Sequence, residues 1–277
     1  MIKTATQLKA KVRNVSQGDS LKAQTLIRNY FMERFLERIS ISPYKDNFVL
    51  KGGMLVAAVV GLDSRATMDI DTTVKFVDLS MENAEKIVRE MAGIDVGDGV
   101  SFFITKISRI MEEHDYPGIR FMLEARMDKM KQSIKMDIST GDVITPAAVT
   151  YAYKLMFEER SIALWTYNLE TLLAEKMETI MARDTANTRM RDFYDIHILI
   201  LREKVEYGIL KAAFLATSKK RGTSELIMNP DVILGRIEED SVMQKQWDNY
   251  VENSSFIGDL SWATVMSSVK LLAGKLA

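Results

Sequence analysis

The chain of 277 residues is 47% apolar and 27% charged, and its formal net charge is −1. That composition is typical of one large globular domain or two modest ones, and it leaves nucleic-acid binding to a local basic patch. The absence of cysteine excludes disulfides, cysteine-ligated zinc and thiol nucleophiles, and two histidines are too few for a histidine-rich metal site. No apolar run is long enough to cross a membrane, and residues 1–20 lack the apolar core of a secretory signal, so we expect a cytoplasmic protein without a membrane partner.

The first part of the chain predicts a mixture of helices and strands. Apolar residues at helical spacing and glycine or serine boundaries predict helices at 20–42, 52–61 and 80–93. Alternating or β-branched runs predict strands at 47–50, 68–77, 100–111, 118–127, 133–140, 149–157 and 161–168, with a turn at 112–118.

From Leu169 onward the periodicity is helical to the end of the chain. Helices are predicted at 169–184, 189–204, 207–222, 242–254 and 259–276. The change near Tyr167 predicts an α/β or α+β part in residues 1–166 and a helical part in residues 167–277.

The stretch MDIDTT places two carboxylates one residue apart. In a strand, Asp69 and Asp71 point to the same face because side chains alternate. Two such carboxylates repel each other unless a cation lies between them, and Mg²⁺ is the hard cation that carboxylates and substrate phosphates usually hold. Asp137, in another apolar strand, offers the third carboxylate of a two-metal phosphoryl-transfer site. The plainer alternatives are a solvated Asp pair and an ion pair between Asp137 and Lys135.

A glycine pair, Gly52 and Gly53, opens the predicted helix after the strand at 47–50. Glycine lets backbone N–H groups approach a phosphate closely, and a helix N-terminus favours anions, so the pair is a candidate phosphate contact. Lys51 and Arg65 lie near it in sequence and are candidates to neutralise phosphate charge, with ordinary solvated cations as the alternative.

The order of these features resembles the polymerase-β-type nucleotidyltransferase superfamily. The wording KGGMLVAAVVGLDSRATMDID resembles more specifically the AbiEii/AbiGii toxin family, whose members read K-G-G-x-x-L and then R-x-[ST]-x-D-[IL]-D. The stretch YNLETLLAEKMETIMARDTANTRMRDFYDIHIL is similar to that family's later pattern, with E-K on one helix and R-D-x-Y-D on the next. The resemblance covers residues 48–201.

The resemblance implies a fold and an activity. The fold is α+β, with a nucleotidyltransferase-type mixed sheet and flanking helices in the catalytic domain, residues 1–166, and an all-helical domain, residues 167–277, that completes the active-site cleft. The activity is a Mg²⁺-dependent transfer of a nucleoside monophosphate from an NTP to an acceptor. The acceptor implied is RNA, in particular a tRNA end, and the outcome is growth arrest, including abortive infection by phage. A cognate antitoxin is the implied protein partner.

The resemblance also implies roles for the matching residues. It assigns metal binding to Asp69 and Asp71, phosphate contacts to Gly52 and Gly53, nucleotide or catalytic contacts to Lys176 and Asp192, and, through the wider superfamily, the third carboxylate to Asp137. Many superfamily members have Gly-Ser where this chain has Gly53 and Met54, so phosphate binding here is expected to rely on Lys51 and backbone N–H groups.

The residues around Asp192 admit a second interpretation. Asp192 and Asp195 are three apart and share a helix face, which also fits a charged helix face with local ion pairs. We predict that Lys176 and Asp192 line the site, and we rank Arg191 and Asp195 below them as candidates. The basic run Lys219, Lys220 and Arg221 is a candidate RNA contact, or a solvated turn.

Two other classes of function compete with the transferase. DIDTT also fits the start of haloacid-dehalogenase-type phosphatases, but that class places a long apolar strand directly before the motif, whereas GLDSRATM precedes it here. The non-enzymatic alternative is a partner-binding module with a vestigial acidic pair, which predicts no Mg²⁺-dependent NTP binding.

Overall fold

One mixed sheet organises the first part of the chain. The structure is a computed structural model, and it describes residues 1–111, 117–225 and 227–276. The described strands are β1 (Phe48–Lys51), β2 (Asp69–Val74), β3 (Ser101–Met111), β4 (Pro117–Met127), β5 (Met130–Thr140), β6 (Val149–Lys154) and β7 (Ser161–Thr166). They form a seven-stranded sheet in the order β3-β4-β5-β2-β1-β7-β6, in which β2 is parallel to β5 and β1 to β7, while the other neighbours are antiparallel. The mixed sheet and the α+β class are therefore confirmed.

The helices begin and end close to the predicted residues. They are α1 (Ala5–Ser16), α2 (Ser20–Ile41), α3 (Gly52–Val60), α4 (Met81–Ala92), α5 (Leu169–Arg183), α6 (Met190–Arg202), α7 (Tyr207–Lys220), α8 (Pro230–Glu239), α9 (Ser241–Glu252) and α10 (Trp262–Ala273). The side chain of Ser80 caps α4 by accepting from the N–H of Asn83, as predicted. The sequence prediction omits α1, which lies in a stretch of alternating charged and small residues, and it omits α8.

The two faces of the sheet differ in chemistry. On one face α2 packs on β5 and β7, and α4 packs on β3. The side chains of β4 and β5 on that face are apolar and buried: Ile119, Phe121, Leu123, Ala125, Ile134, Met136 and Ile138. Because side chains alternate along a strand, the register that buries this set turns Asp137 and its neighbours to the opposite, open face.

Contacts along the chain define two units. The first unit consists of Met1–Ala58, Ala66–Asp142 and Val149–Thr166, and the second of Val59–Arg65, Val143–Ala148 and Tyr167–Ala277. The second unit has an aromatic core, in which the ring centroid of Trp262 lies 5.2 Å from that of Phe193 and 5.9 Å from that of Trp247. The turn predicted at 112–118 falls mainly on residues 112–116, outside the described residues. Across the described ranges, no helix is both long and apolar enough to cross a membrane.

Candidate active site

Three carboxylates, Asp69, Asp71 and Asp137, lie on the open face of the sheet. Asp69 and Asp71 are two residues apart on β2, and Asp71 stands directly opposite Asp137 on the parallel strand β5. Neighbouring strands are about 4.8 Å apart, and residues opposite each other share a face. The fold thus brings together on one surface the three carboxylates that the sequence predicts as a set.

Two basic side chains neutralise part of this charge. Nζ of Lys135 lies 2.7 Å from Oδ2 of Asp69. Arg120 on β4 donates from Nε to Oδ1 of Asp137 at 2.8 Å and from Nη2 to Oδ2 at 2.7 Å, and this hydrogen bonding raises the pKa of Arg120. The alternative in which Lys135 pairs with Asp137 is wrong, because Lys135 stands opposite Asp69 across the parallel pair.

Lys51 adds a cation on the other side of Asp71. Across the sheet the opposite residues form a row of four charges: Arg120, Asp137, Asp71 and Lys51. Nζ of Lys51 lies 2.5 Å from Oδ2 of Asp142, an oxygen that also accepts from Oγ of Ser139 at 2.8 Å. Burial alone would raise the pKa of Asp142, but the charge of Lys51 outweighs it and lowers that pKa. The phosphate contact assigned to Lys51 stays a prediction.

Two members of this set, Arg120 and Asp142, are not predicted from the sequence. A signal for Arg120 exists: a hairpin with a two-residue turn at Asp128 and Lys129 pairs Met127 with Met130 and places Arg120 opposite Asp137. The predicted strand start at residue 133 hides this register, because a hairpin closed between 127 and 133 would place Arg120 opposite Thr140. Asp142 follows β5 in an irregular stretch, and no pattern in the sequence points to its contact with Lys51.

Gly52 joins β1 to α3 and lies against the carboxylate of Asp71. Its φ is +67°, and a Cβ at this position would lie 2.3 Å from Oδ2 of Asp71. Glycine is therefore required twice, for the left-handed backbone and for the space that Asp71 occupies. Gly53 follows in the first turn of α3. The phosphate contacts assigned to Gly52 and Gly53 stay predictions.

The donor set fits a hard divalent cation. It consists of carboxylate oxygens only, which suits Mg²⁺, and two of the three carboxylates already attract cationic side chains. In the described part of the chain, no group of three or more His, Cys, Asp or Glu side chains is arranged to hold a metal ion. Mg²⁺ needs only one or two carboxylates when substrate phosphates supply further oxygens, so Asp69 and Asp71 are the core of the candidate site.

A second charged cluster lies in the second unit, around Lys176 on α5. Its Nζ donates to Oδ1 of Asp192 at 2.9 Å and to Oδ2 of Asp195 at 2.6 Å. Arg65 donates from Nε to Oδ1 of Asp195 at 2.6 Å and from Nη2 to Oδ2 at 3.2 Å. Nε of Arg189 lies 2.6 Å from Oδ2 of Asp192. Asp192 and Asp195 are therefore neighbours on α6, as predicted, and both accept a hydrogen bond from Lys176.

This cluster is buried and charged. Asp192 and Asp195 have no exposed surface, and Lys176 and Arg65 are 6% and 5% exposed. Burial alone would raise the pKa of each carboxyl, but the cations outweigh it: Lys176 and Arg189 lower the pKa of Asp192, and Arg65 and Lys176 lower that of Asp195. Asp195, which the sequence suggests less strongly than Asp192 as a site residue, pairs with both Arg65 and Lys176. The nucleotide contacts assigned to Arg65, Lys176 and Asp192 stay predictions.

The backbone around Arg65 is positioned by α6. The hydroxyl of Tyr194 donates to the carbonyl oxygen of Ser64 at 2.6 Å, next to the Arg65 to Asp195 ion pair. Tyr194 and Asp195 follow each other on α6, so one helical turn fixes both the carbonyl and the guanidinium of this segment. The Arg of the R-x-[ST]-x-D-[IL]-D pattern therefore serves as an anchor of the 59–65 segment.

Sheet topology, paired carboxylates and the glycine turn together define a nucleotidyltransferase-type protein. A structure of JHP933 from Helicobacter pylori is similar, with a TM-score of 0.50 and 17% identity over 91% of this chain and 93% of that one. Another, of a presumed nucleotidyltransferase from the same species, has a TM-score of 0.46 and 16% identity over 91% of this chain and 96% of that one. No curated protein sequence matches.

The family is shown by sequence. The family model described as nucleotidyl transferase AbiEii toxin, type IV TA system, matches residues 34–267. The chain belongs to the AbiEii family of nucleotidyltransferase toxins, and it is a transferase. The resemblance derived from its motifs is confirmed, and the match extends it beyond residues 48–201 on both sides.

Proposed function

We propose that this transferase moves a nucleoside monophosphate from an NTP to an RNA acceptor, a tRNA end, as the toxin of a type IV system with a cognate antitoxin. Growth arrest, including during abortive infection by phage, would follow because the modified RNA would lose its function. The observation that carries the proposal is the register of β2 and β5, which puts Asp69, Asp71 and Asp137 on one open face beside Gly52.

The position of the Asp pair argues against the phosphatase alternative. Asp69 is the first residue of β2, and the described residues 61–68 before it form no strand. A nucleophilic Asp of the dehalogenase type would follow an apolar strand. Two carboxylates at the start of a strand, with Lys51, Arg120 and Lys135 on neighbouring strands, fit a site that binds a metal ion and a charged substrate better than a site that forms a covalent intermediate.

The residues of the first unit take defined roles in this proposal. Asp69 and Asp71, with Asp137 as the third carboxylate, would hold Mg²⁺, which when bound supplies positive charge that offsets the negative charge of the triphosphate. Gly52, Gly53 and Lys51 would contact the β- and γ-phosphates through backbone N–H groups and one ammonium. Lys176 and Asp192 remain the proposed nucleotide contacts of the second unit.

Asp137 is the proposed proton acceptor. The acceptor hydroxyl oxygen forms a bond to the α-phosphorus, the bond between the α- and β-phosphates breaks, and pyrophosphate leaves with the electron pair. The hydroxyl proton passes to a carboxylate oxygen of Asp137. Arg120 must release at least one of its two hydrogen bonds for that transfer, since both carboxylate oxygens of Asp137 now accept from it.

A labelling experiment tests the proposal. The purified protein is incubated with Mg²⁺, total tRNA and each NTP labelled at the α-phosphate in turn, beside Asp71→Asn and a control, Asp78→Asn, in which an exposed Asp of the same unit is changed. Label on tRNA with the wild type and the control, but not with Asp71→Asn, supports the proposal and names the nucleotide. Label on protein in place of RNA would reject the acceptor, and absence of both transfer and Mg²⁺-dependent NTP binding would reject the reaction.

A further inference from the structure

The open face of β3, β4 and β5 is a basic surface with an exposed aromatic ring. We propose that this surface, defined by Phe103, Lys106, Arg126 and Lys131 and here called the basic face, binds the acceptor RNA as a single strand. The inference deepens the proposed function and rests on it for the identity of the acceptor.

The basic face is locally cationic in a chain whose net charge is −1. Strand register assigns the charged residues of β3–β5 that share the face of Asp137: Lys106, Arg120, Arg126, Lys131 and Lys135 are basic, and Glu124 and Asp137 are acidic. Arg120 and Lys135 are paired with carboxylates of the candidate site, so the excess positive charge lies in Lys106, Arg126 and Lys131 beside the single carboxylate of Glu124. Such a surface complements a polyanion, and it is the local patch that nucleic-acid binding requires in a nearly neutral protein.

Its outer cations are accessible. The side chains of Lys131 and Arg126 are 60% and 45% exposed, and Lys106 is exposed. Arg126 and Lys131 share one carboxylate, Glu124, at 2.5 Å and 3.7 Å. Exposed ion pairs contribute about 1 kcal/mol or less, so a phosphate can replace Glu124 as the partner of either cation at little cost.

Phe103 supplies a stacking surface among these charges. It lies opposite Glu124 on β3, and 44% of it is exposed although the other ring on this strand, Phe102, is buried. The guanidinium carbon of Arg126 lies 4.3 Å from the centroid of the Phe103 ring. Because this guanidinium lies over the ring, an unpaired base can stack on the exposed part of the ring or on the guanidinium plane, while the backbone phosphates bind the other charges. Such stacking requires unpaired bases, which favours a single strand over a duplex.

The basic face is continuous with the three carboxylates. Arg120 and Lys135 lie on the same side of the sheet as the basic face, and each contacts one of the carboxylates. Arg120 and Arg126 are six residues apart on β4, about 20 Å of strand at about 3.4 Å per residue. A strand of RNA bound along β4 from Arg126 would therefore end at Asp137, where the proposed reaction needs the acceptor hydroxyl. A protein partner would favour an apolar contact with few charges, so RNA is the occupant that this surface fits.

The test compares RNA binding by matched charge variants. The open-face variant is Lys106→Ala/Arg126→Ala/Lys131→Ala, and the control, Lys9→Ala/Lys11→Ala/Lys204→Ala, removes three other exposed lysines. Melting temperatures establish that both fold. Binding of fluorescently labelled total tRNA is then measured over a range of salt concentrations. We expect the open-face variant to bind at least about tenfold more weakly, with a salt slope lower by about 2, since each lost phosphate contact on a single strand contributes about 0.7.

Phe103→Ala tests the stacking contribution separately. It should weaken tRNA binding while leaving the salt slope unchanged, because it removes no charge. Equal tRNA binding by the open-face variant and its control overturns the inference. So does loss of binding to the purified antitoxin with tRNA binding intact, which would assign the face to a protein. Mg²⁺-dependent NTP binding by the wild type reports on the proposed function alone, so a failure there is distinguishable from a failure of this inference.

Discussion

The carboxylate of Asp71 fills the space that a side chain at Gly52 would need. A Cβ at residue 52 would lie 2.3 Å from Oδ2 of Asp71, on a backbone with a φ of +67°. Gly52→Ala therefore adds a collision to a strained conformation, and we expect it to lower the free energy of unfolding by roughly 3 kcal/mol. Because Asp71 must move, the variant should also lose Mg²⁺-dependent NTP binding, measured by calorimetry.

Gly18→Ala is the matched control for that prediction. Gly18 has a φ of +93° in the same unit, and nothing lies within 4 Å of the position of its Cβ. Gly18→Ala should therefore show backbone strain alone, about 1 kcal/mol in denaturant unfolding, with NTP binding intact. Equal losses of stability in the two variants would mean that the contact with Asp71 is unimportant.

Arg120 competes with any cation for Asp137. Its two hydrogen bonds occupy both carboxylate oxygens, so Arg120→Met should free Asp137 and strengthen Mg²⁺ binding in the absence of NTP by several-fold. Isothermal titration with Mg²⁺ measures the change. Arg126→Met removes the same charge from the same strand, about 20 Å away, and corrects for the net charge. If both variants bind Mg²⁺ equally, Asp137 is no metal ligand.

Local patterns in the sequence are enough to predict much of the fold and the face of the sheet on which the candidate site lies. Side-chain alternation suffices to place Asp69 and Asp71 together, and apolar runs suffice to find the seven described strands and most described helices. The pairing of Asp71 with Asp137 needs β2 and β5 to be neighbours, and the structure supplies that order, since no local pattern encodes it.

Ion pairs between residues far apart in sequence cannot be predicted from local patterns. The contacts of Arg65 with Asp195 and of Lys51 with Asp142 join residues 130 and 91 positions apart. Charge spacing along one helix correctly suggests that Asp192 and Asp195 are neighbours, but it cannot reveal that Lys176 lies between them. Nor does a sequence show that these three residues are buried, because most charged residues in proteins are exposed to solvent.

Lys176 holds two carboxylates that have no exposed surface. Lys176→Met leaves Asp192 and Asp195 close together with one cation fewer, and removing one partner of a buried ion pair costs about 3 to 5 kcal/mol. We expect a loss of that size in denaturant unfolding at neutral pH. Lys204→Met, at a lysine whose side chain is 90% exposed, should change the stability by less than about 0.5 kcal/mol.

The same cluster should contribute to the pH dependence of stability in acid. The pKa values of Asp192 and Asp195 are lowered in the folded state from the unfolded value of 3.8. The two carboxylates therefore stabilise the fold above pH 3.8, and this stabilisation is lost as the pH falls through their folded pKa values. Lys176→Met should move the acid unfolding midpoint to higher pH. Adding Asp192→Asn should recover part of the lost stability, because one of the two buried charges is gone; a further loss in the double variant would contradict this account.

Glu33 on α2 should give the opposite pH dependence. Burial raises the pKa of Glu33 to about 7, although its Oε2 accepts from the N–H of Met156 at 2.8 Å and its Oε1 from Asn29 at 2.9 Å. The folded protein thus binds this proton more tightly than the unfolded chain, whose value is 4.5, so the contribution is present below pH 4.5 and is lost as the pH rises toward 7.

Across that window the free energy of unfolding should fall by on the order of 3 kcal/mol because of Glu33. Glu33→Gln keeps an acceptor for Met156 and cannot ionise, so its stability curve should be flatter between pH 4.5 and 7, as measured by urea unfolding at a series of pH values. Glu82→Gln, at an exposed position of α4, should keep the wild-type slope. A wild-type slope in Glu33→Gln would show that Glu33 is already ionised in the folded protein at low pH, with Arg34 and the two hydrogen bonds outweighing its burial.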